Sequence, residues 1–401
     1  MNNADYKRMK GELQIQFTDE LRNNILPFWL KLKDENHGGF VGRVAGDGTV
    51  FPDADKGAVL QSRILWTFSA AYLHFNDPVY LDCARHAKAF LLNKLWDNKN
   101  GGIFWKSDYK GTPSDTKKQI YAQAFAIYGL SQYARITEDK EALDKAKELY
   151  SLIERHSFDP DRGGYFEAFT GEWLEIQDMR LSDKDANERK TMNTHLHVLE
   201  AYTNLYRVWP SEDMKKSLMK LLTLFLDIIL DSHTGHLKLF FDEKWQCKSD
   251  IVSYGHDIES LWLLYEAAIV LGDDAITKRV EAIVPRIAQA VTEGLQADGA
   301  LIYEKDTMNR HADMDRHWWV QAETVVGFSY AARILNNDRY ANIAEKCWQF
   351  IQQHLVDPIH GEWFWSIKAD GSVNYADDKA GLWKCPYHNG RMCMEMISLA
   401  K

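Results

Sequence analysis

One turn, written six times, sets what this chain can fold into. At 97–105 the sequence reads DNKNGGIFW. Asn and Gly supply the positive φ of a tight reversal, and strand-forming residues follow. Related versions stand at 34–40 (DENHGGF), 159–166 (DPDRGGYF), 231–237 (DSHTGHL) and 357–364 (DPIHGEWF), with a degenerate one at 297–303 (ADGALIY). Their leading glycines are Gly38, Gly101, Gly163, Gly235, Gly299 and Gly361, about 62 to 72 residues apart. Such a period marks an internal repeat. In every version except that at Gly299, an Asp stands four residues ahead of the glycine.

Each interval holds two helical patterns. The first spans 56–75, 119–135, 191–208, 255–271, 316–335 and, last, 387 to the C-terminus. These segments are apolar nearly all round, as Leu65, Trp66, Phe68, Ala70, Ala71 and Tyr72 illustrate, so they are expected to be buried. The second pattern spans 79–96, 138–156, 211–230, 273–292 and 338–355 and is amphipathic. The segment 5–33 supplies the sixth outer partner. Six buried and six outer helices close into an all-α (α/α)6 barrel, one catalytic domain over 1–401. The repeated turns then link each outer helix to the next inner one through short hairpins or loops.

Bulk properties narrow the partners. A net charge of -10 and pI near 5.8 disfavour nucleic acid and anionic membranes. Five cysteines, an odd number with no CxxC spacing, suit a reducing compartment. The first residues lack the apolar stretch of a signal peptide, and no apolar run reaches membrane length. A cytoplasmic monomer or homodimer is expected.

In such a barrel the inner helices run parallel, so their N-termini meet at one mouth. The residues there are polar: Arg63; Tyr121 and Gln123; Asn193, His195 and His197; Tyr254, His256 and Glu259; His317, Trp319, Gln321 and Glu323; Trp383, Tyr387, His388, Asn389 and Arg391. Buried polar groups without partners cost about 1–3 kcal/mol each. The helix dipoles would also stabilise an anion formed between them.

Asn193 and His197 are four apart, and His256 and Glu259 three apart, so each pair shares a helix face. A carboxylate beside an imidazole orients it and raises its basicity. His388 follows Pro386 at a helix start. Two histidines from separated helices could move a proton off a carbon and return one to the other face.

Plainer readings compete. The His195-x-His197 pair resembles metal ligands, but on a helix the two diverge and no third ligand is evident. A single buried histidine is more often structural. Arg63 could serve only as an ion-pair partner. Glu259 and Glu323 could be the carboxylates of an inverting glycoside hydrolase, and a sugar-binding protein without activity would also use an aromatic mouth. Cys385 and Cys393 are expected to pack, and His86, His156 and His354 to sit on the surface of outer helices. The charged loop 172–190 either covers the mouth or is a surface insertion.

KGAVLQSRILW (56–66), MNTHLHVLEAY (192–202), SYGHDIES (253–260), RHWWVQAE (316–323) and WKCPYHNGRMCMEM (383–396) together resemble the N-acylglucosamine 2-epimerase superfamily and, within it, the cellobiose 2-epimerase family. The resemblance implies inversion without a cofactor at C2 of the reducing-end sugar of a β-1,4-linked disaccharide: cellobiose to 4-O-β-glucosyl-mannose, lactose to epilactose. It implies His256 and His388 as the acid–base pair acting through a cis-enediolate that rotates about C2–C3. His197 would assist ring opening, Arg63 and Asn193 would stabilise the enediolate, and Glu259 would orient His256. Trp319 and Trp383 would stack on sugar rings, with Glu323 and Tyr121 bonding hydroxyls. Aldose–ketose isomerases, mannose 2-epimerases and N-acylglucosamine 2-epimerase remain alternatives on the same scaffold. The last responds to nucleotide, and the sequence has no Gly-rich phosphate loop.

Overall fold

The structure, a computed structural model, describes residues 3–400. The chain opens with α1 (Asn3–Asp19), a π-helical turn and α2 (Leu26–Leu30). Five helix pairs follow. The inner members are α3 (Ala58–Phe75), α5 (Ile120–Thr137), α7 (Met192–Val208), α9 (Tyr254–Leu271) and α11 (Trp318–Leu335). The outer members are α4 (Pro78–Phe90), α6 (Lys140–His156), α8 (Glu212–Leu224), α10 (Asp274–Val291) and α12 (Asp338–Phe350). The sixth inner helix, α13 (Tyr387–Leu399), ends the chain. Inner helices touch in ring order from α3 round to α13 and back to α3, and α1 packs on α13 at the seam. This is the (α/α)6 barrel expected from the repeats.

Local chemistry explains why each pair turns where it does. Four inner helices, α3, α5, α9 and α11, end in a left-handed residue: Asn76, Glu138, Gly272 and Asn336. The next outer helix starts on an Asp, Ser or Asn whose side chain accepts a backbone N–H, as Asp77, Asp139, Ser211, Asp273 and Asn337 do. Inner helices, α7 excepted, begin without a side-chain cap; the first N–H of α3, α5 and α11 donates instead to the carbonyls of Trp105, Glu167 and Trp365.

The repeated turns are built alike. Gly38, Gly101, Gly163, Gly235, Gly299 and Gly361 all have φ between 71° and 89°, which only glycine adopts cheaply. Antiparallel bridges flank every turn, such as Trp96 with Ile103 and Phe158 with Tyr165. Beneath four turns the sequence Asp meets a buried lysine. Lys56 pairs with Asp34, Lys118 with Asp97, Lys190 with Asp159 and Lys379 with Asp357. Two- or three-residue strands before every inner helix but α13 pair with the next repeat's hairpin, and Val44 bridges Ala380 to link the last repeat to the first.

Several residues expected at the mouth instead secure these turns. Gln123 accepts the N–H of Ile103 at 2.7 Å and donates to its carbonyl at 2.7 Å. Gln321 does the same for Leu301, and Gln61 for Phe40. His195 accepts the Tyr165 N–H at 2.8 Å through Nε2, with Nδ1 on the Thr191 carbonyl at 2.6 Å. Asn389 donates to Glu362, Tyr254 packs against His236, and His317 stacks on Tyr303 with centroids 4.0 Å apart. His86 is not a surface group either: it holds the Asp34 and Gly39 carbonyls. His156 stacks on Trp173 and His354 is exposed. Among the described residues, no helix is long and apolar enough to cross a membrane.

Candidate active site

Aromatic contacts join the remaining sequence candidates into one wall. Trp383 meets Tyr121 at 6.0 Å between centroids, Tyr121 meets His197 at 5.0 Å, and His197 meets Tyr387 at 6.3 Å. Tyr387 meets His388 at 4.6 Å, His388 meets Trp319 at 5.6 Å, and Trp319 meets His256 at 4.8 Å. In the helix ring, α11 with its Trp319 lies between the two histidine-bearing helices α9 and α13. His256 and Asn193 border a cavity of about 450 Å³ that Met179, Arg180, Leu181, Lys184 and Asp185 also line. The 172–190 loop therefore borders the mouth, and Gln119 holds it by the Met179 and Arg180 carbonyls.

Arg63 is buried and has no carboxylate partner among the described residues. Its guanidinium donates to the Tyr121 hydroxyl at 2.7 Å and the Trp383 carbonyl at 3.1 Å, and lies over the rings of Phe125 and Tyr387. The plain ion-pair role is thus absent; aromatic faces supply much of its stabilisation. Nε of Arg63 and Oδ1 of Asn193 are buried without hydrogen bonds. Cys385 and Cys393 are buried and unpaired, as expected of packing residues.

The histidines are held differently from one another. His256 Nδ1 bonds Ser253 Oγ at 2.7 Å. Glu259, expected to orient His256, instead accepts from Arg391 Nη2 at 2.7 Å. A shared helix face allows the His–Glu contact, but the guanidinium offers the carboxylate a stronger partner. His388 Nδ1 bonds Glu323 Oε1 at 2.7 Å, and Glu323 also accepts from Trp262 Nε1 and Arg391. Glu323 therefore holds a histidine rather than standing free for a hydroxyl. His197 Nδ1 bonds Glu200 Oε2 at 2.9 Å. Sequence reasoning missed Glu200 and gave Arg391 no role. Both lie three residues beyond a site histidine, the signal that could have found them.

Burial disfavours the charged imidazolium throughout. It lowers His256 to about 3, aided by His197, and carries His388 well below the ordinary value, aided by Arg63 and Arg391. Burial lowers His197 too, against the pull of Glu200. Burial also opposes the Glu200 charge, yet Arg391 and His197 hold that carboxylate at about 2. His197 thus faces an anion through Nδ1–H, and its Nε2 is left as a base.

Glu259, Glu323 and His388 offer ligand atoms within 4.8 Å of one another, within reach of one metal ion. Arg391 already occupies that focus, bonding both carboxylates. The same clustering argues against the inverting hydrolase, whose carboxylates must stand about 6.5–9.5 Å apart with water between them.

Two buried carboxyls give stability a pH slope. Burial and the Glu323 charge push Glu259 up to about 8, and burial pushes Glu167 to about 8 against hydrogen bonds from Thr194 and Thr191. Unfolded, each ionises near 4.5. Between those values the folded state holds more protons, so stability falls as pH rises through about 8. His195 and His317, held near 4 by burial, add no slope above about 6.5. The thermal midpoint is expected to fall by several degrees from pH 6.5 to 8.5, and less in Glu167→Gln. Calorimetry showing a flat or rising midpoint would contradict this.

The sequence model of the N-acylglucosamine 2-epimerase (GlcNAc 2-epimerase) family matches residues 38–390. A cellobiose 2-epimerase of Bacteroides fragilis is 54% identical over 97% of this chain and 98% of its own. One of Dictyoglomus turgidum is 40% identical over 98% and 99%. The solved cellobiose 2-epimerase of Bacillus thermoamylovorans superposes with a TM-score of 0.92 at 42% identity, over 97% of this chain and 99% of that one. With a helical barrel, a mouth rich in histidine and aromatic rings, and relatives matching end to end, the chain belongs to the N-acylglucosamine 2-epimerase family and is a carbohydrate epimerase.

Proposed function

We propose that this enzyme inverts C2 of the reducing-end sugar of β-1,4-linked disaccharides; its similarity to proteins named cellobiose 2-epimerase supports the reading. The observation that carries the reading is a pair of imidazoles, His256 and His388, each packed against Trp319, whose charged forms their surroundings disfavour. A neutral imidazole can take a proton at neutral pH. In the proposed sequence, His197 assists ring opening and exposes the C1 aldehyde. One of the pair removes the C2 proton, and the electrons move onto O1, giving a cis-enediolate. Rotation about C2–C3 turns the other face to the second histidine; the proton taken by the first is relayed to it through solvent-exchanging sugar hydroxyls, and it delivers that proton to C2 as the aldehyde re-forms.

Arg63 and Asn193 suit the enediolate. Arg63 has no carboxylate partner among the described residues, and Asn193 borders the cavity beside His256. Half-buried Trp319 and Trp383 present ring surface for stacking, and the Tyr121 hydroxyl stands beside Arg63. Five unpaired thiols suit the cytoplasm.

Incubation with cellobiose in D₂O, followed by NMR, tests the reading. A glucosyl-mannose product carrying deuterium at C2 is expected. A ketose product would instead mark an aldose–ketose isomerase, and free glucose a hydrolase.

A further inference from the structure

We propose that Arg391 is a positioning residue that keys two of the acid–base histidines to a single buried cation; the inference rests on the epimerase reading above. Arg391 is 1% exposed. Its Nη1 donates to Glu200 and contacts the Tyr387 hydroxyl, and its Nη2 donates to Glu259 and Glu323, each at 2.7 Å. The guanidinium carbon lies 4.6 Å from the Trp262 ring centroid and 4.1 Å from that of Tyr387. One side chain of α13 thus ties together α7, α9 and α11.

Two of the carboxylates it holds face a histidine. Glu200 meets His197 Nδ1 and Glu323 meets His388 Nδ1. A carboxylate that accepts from Nδ1–H fixes the tautomer and leaves Nε2 unprotonated. The fork of the guanidinium fixes where each carboxylate points, which a lysine ammonium cannot do for three acids at once. The third acid, Glu259, carries the proton of the cluster: burial and the adjacent Glu323 favour its neutral form. Burial raises Glu323 as well, and donors from Arg391, Trp262 and His388 oppose that shift.

Other charges face the same rings. His388 looks onto Glu259 of α9, Glu323 of α11, His197 and Glu200 of α7, Arg63 of α3 and, on its own helix, Tyr387 and Arg391. His197 looks onto Glu200 of α7, Arg63 of α3, Tyr121 of α5, His256 of α9 and Tyr387, His388 and Arg391 of α13. Among these groups, Arg391 bonds the carboxylate partners of both imidazoles.

Arg391→Lys tests the role in the full-length enzyme, with ¹⁵N-labelled histidines. In the wild type, the side-chain NMR of His197 and His388 is expected to show the Nδ1–H tautomer without substrate. In Arg391→Lys both should become tautomer mixtures. The kcat should fall about 10²-fold, with its pH profile displaced and KM within about threefold. A folded variant with wild-type tautomers, kcat and pH profile overturns the proposal.

If Arg391→Lys does not fold, Glu200→Gln, Glu323→Gln and their double variant decide. A double loss smaller than the product of the single losses by about tenfold or more supports one shared cation, and a simple product overturns it. The tautomers are read without turnover, so a failure of C2 epimerisation in the wild type would sink the reaction reading and leave this test standing.

Discussion

Replacing His388 by alanine is expected to lower kcat for C2 inversion about 10³-fold or more, within the range of a lost general acid–base group. His388 bonds Glu323 through Nδ1, and its ring meets Trp319, so alanine removes the base and leaves the wall around it. Folding should be little affected, because the imidazole is neutral and its carboxylate partner keeps Arg391 and Trp262. His256→Ala should lose a similar factor. The two variants should then separate. Each retains one base, so each should still exchange the C2 proton with D₂O in one epimer while failing to convert it. NMR of glucosyl-glucose and glucosyl-mannose with both variants would show which histidine serves which face. More than about a tenth of wild-type kcat in His388→Ala would exclude it from proton transfer at C2.

Lys118→Met is expected to cost about 3–5 kcal/mol of stability, the range for a buried ion pair deprived of one partner. Lys118 is fully buried, and its ammonium lies 2.9 Å from the Asp97 carboxylate, itself 5% exposed. Methionine keeps most of the volume but abandons a charge under the turn. Asp97 still accepts N–H bonds from Lys99 and Asn100, so its charge cannot simply leave. Adding Asp97→Asn should restore part of the loss. By contrast, Arg85→Ala breaks an exposed pair with Asp82 and should change stability by less than about 1 kcal/mol. Urea midpoints compare the three variants. A Lys118→Met protein within about 1 kcal/mol of wild type would mean that water reaches the pair and screens it.

Spacing made the barrel legible, because a repeated turn must join repeated elements. Helix limits agreed to within a few residues, except that α1, α4, α8 and α12 end early in π-helical turns that apolar periodicity does not reveal. The mouth was legible only in part, and helical geometry gives the reason. At 100° per residue, the second and sixth residues of a helix share one face, and the fourth points about 160° to 200° away. Tyr121, Asn193, Trp319 and His388 are second in their helices; Arg63, His197, Glu259 and Glu323 are sixth. Gln123, His195 and Gln321 are fourth, and they turn outward to the hairpins. Counting from the strand ahead of each helix would have separated the two groups. Glu200 lies within such counting of His197, but the surroundings of the other two histidines do not. Glu323 reaches His388 from another helix, and Arg391 draws Glu259 away from His256.

The seam has a kinetic consequence. Trp29 Nε1 bonds Glu362, Trp363 Nε1 bonds Glu20, and Asn24 receives the Glu362 N–H, contacts spanning 333, 343 and 338 residues. Most other contacts join neighbouring repeats and form over short loops, so helix pairs can assemble in order as the ribosome delivers them. The ring itself waits for its final segment, since α13 must reach both α3 and α1. Joining the two ends is then the slow, high-contact-order step. Until it occurs, the chain is an open arc with an apolar inner surface, and His388, on the closing helix, is out of place. Activity should therefore appear only with the final phase of refolding, in step with the fluorescence change of Trp29 and Trp363.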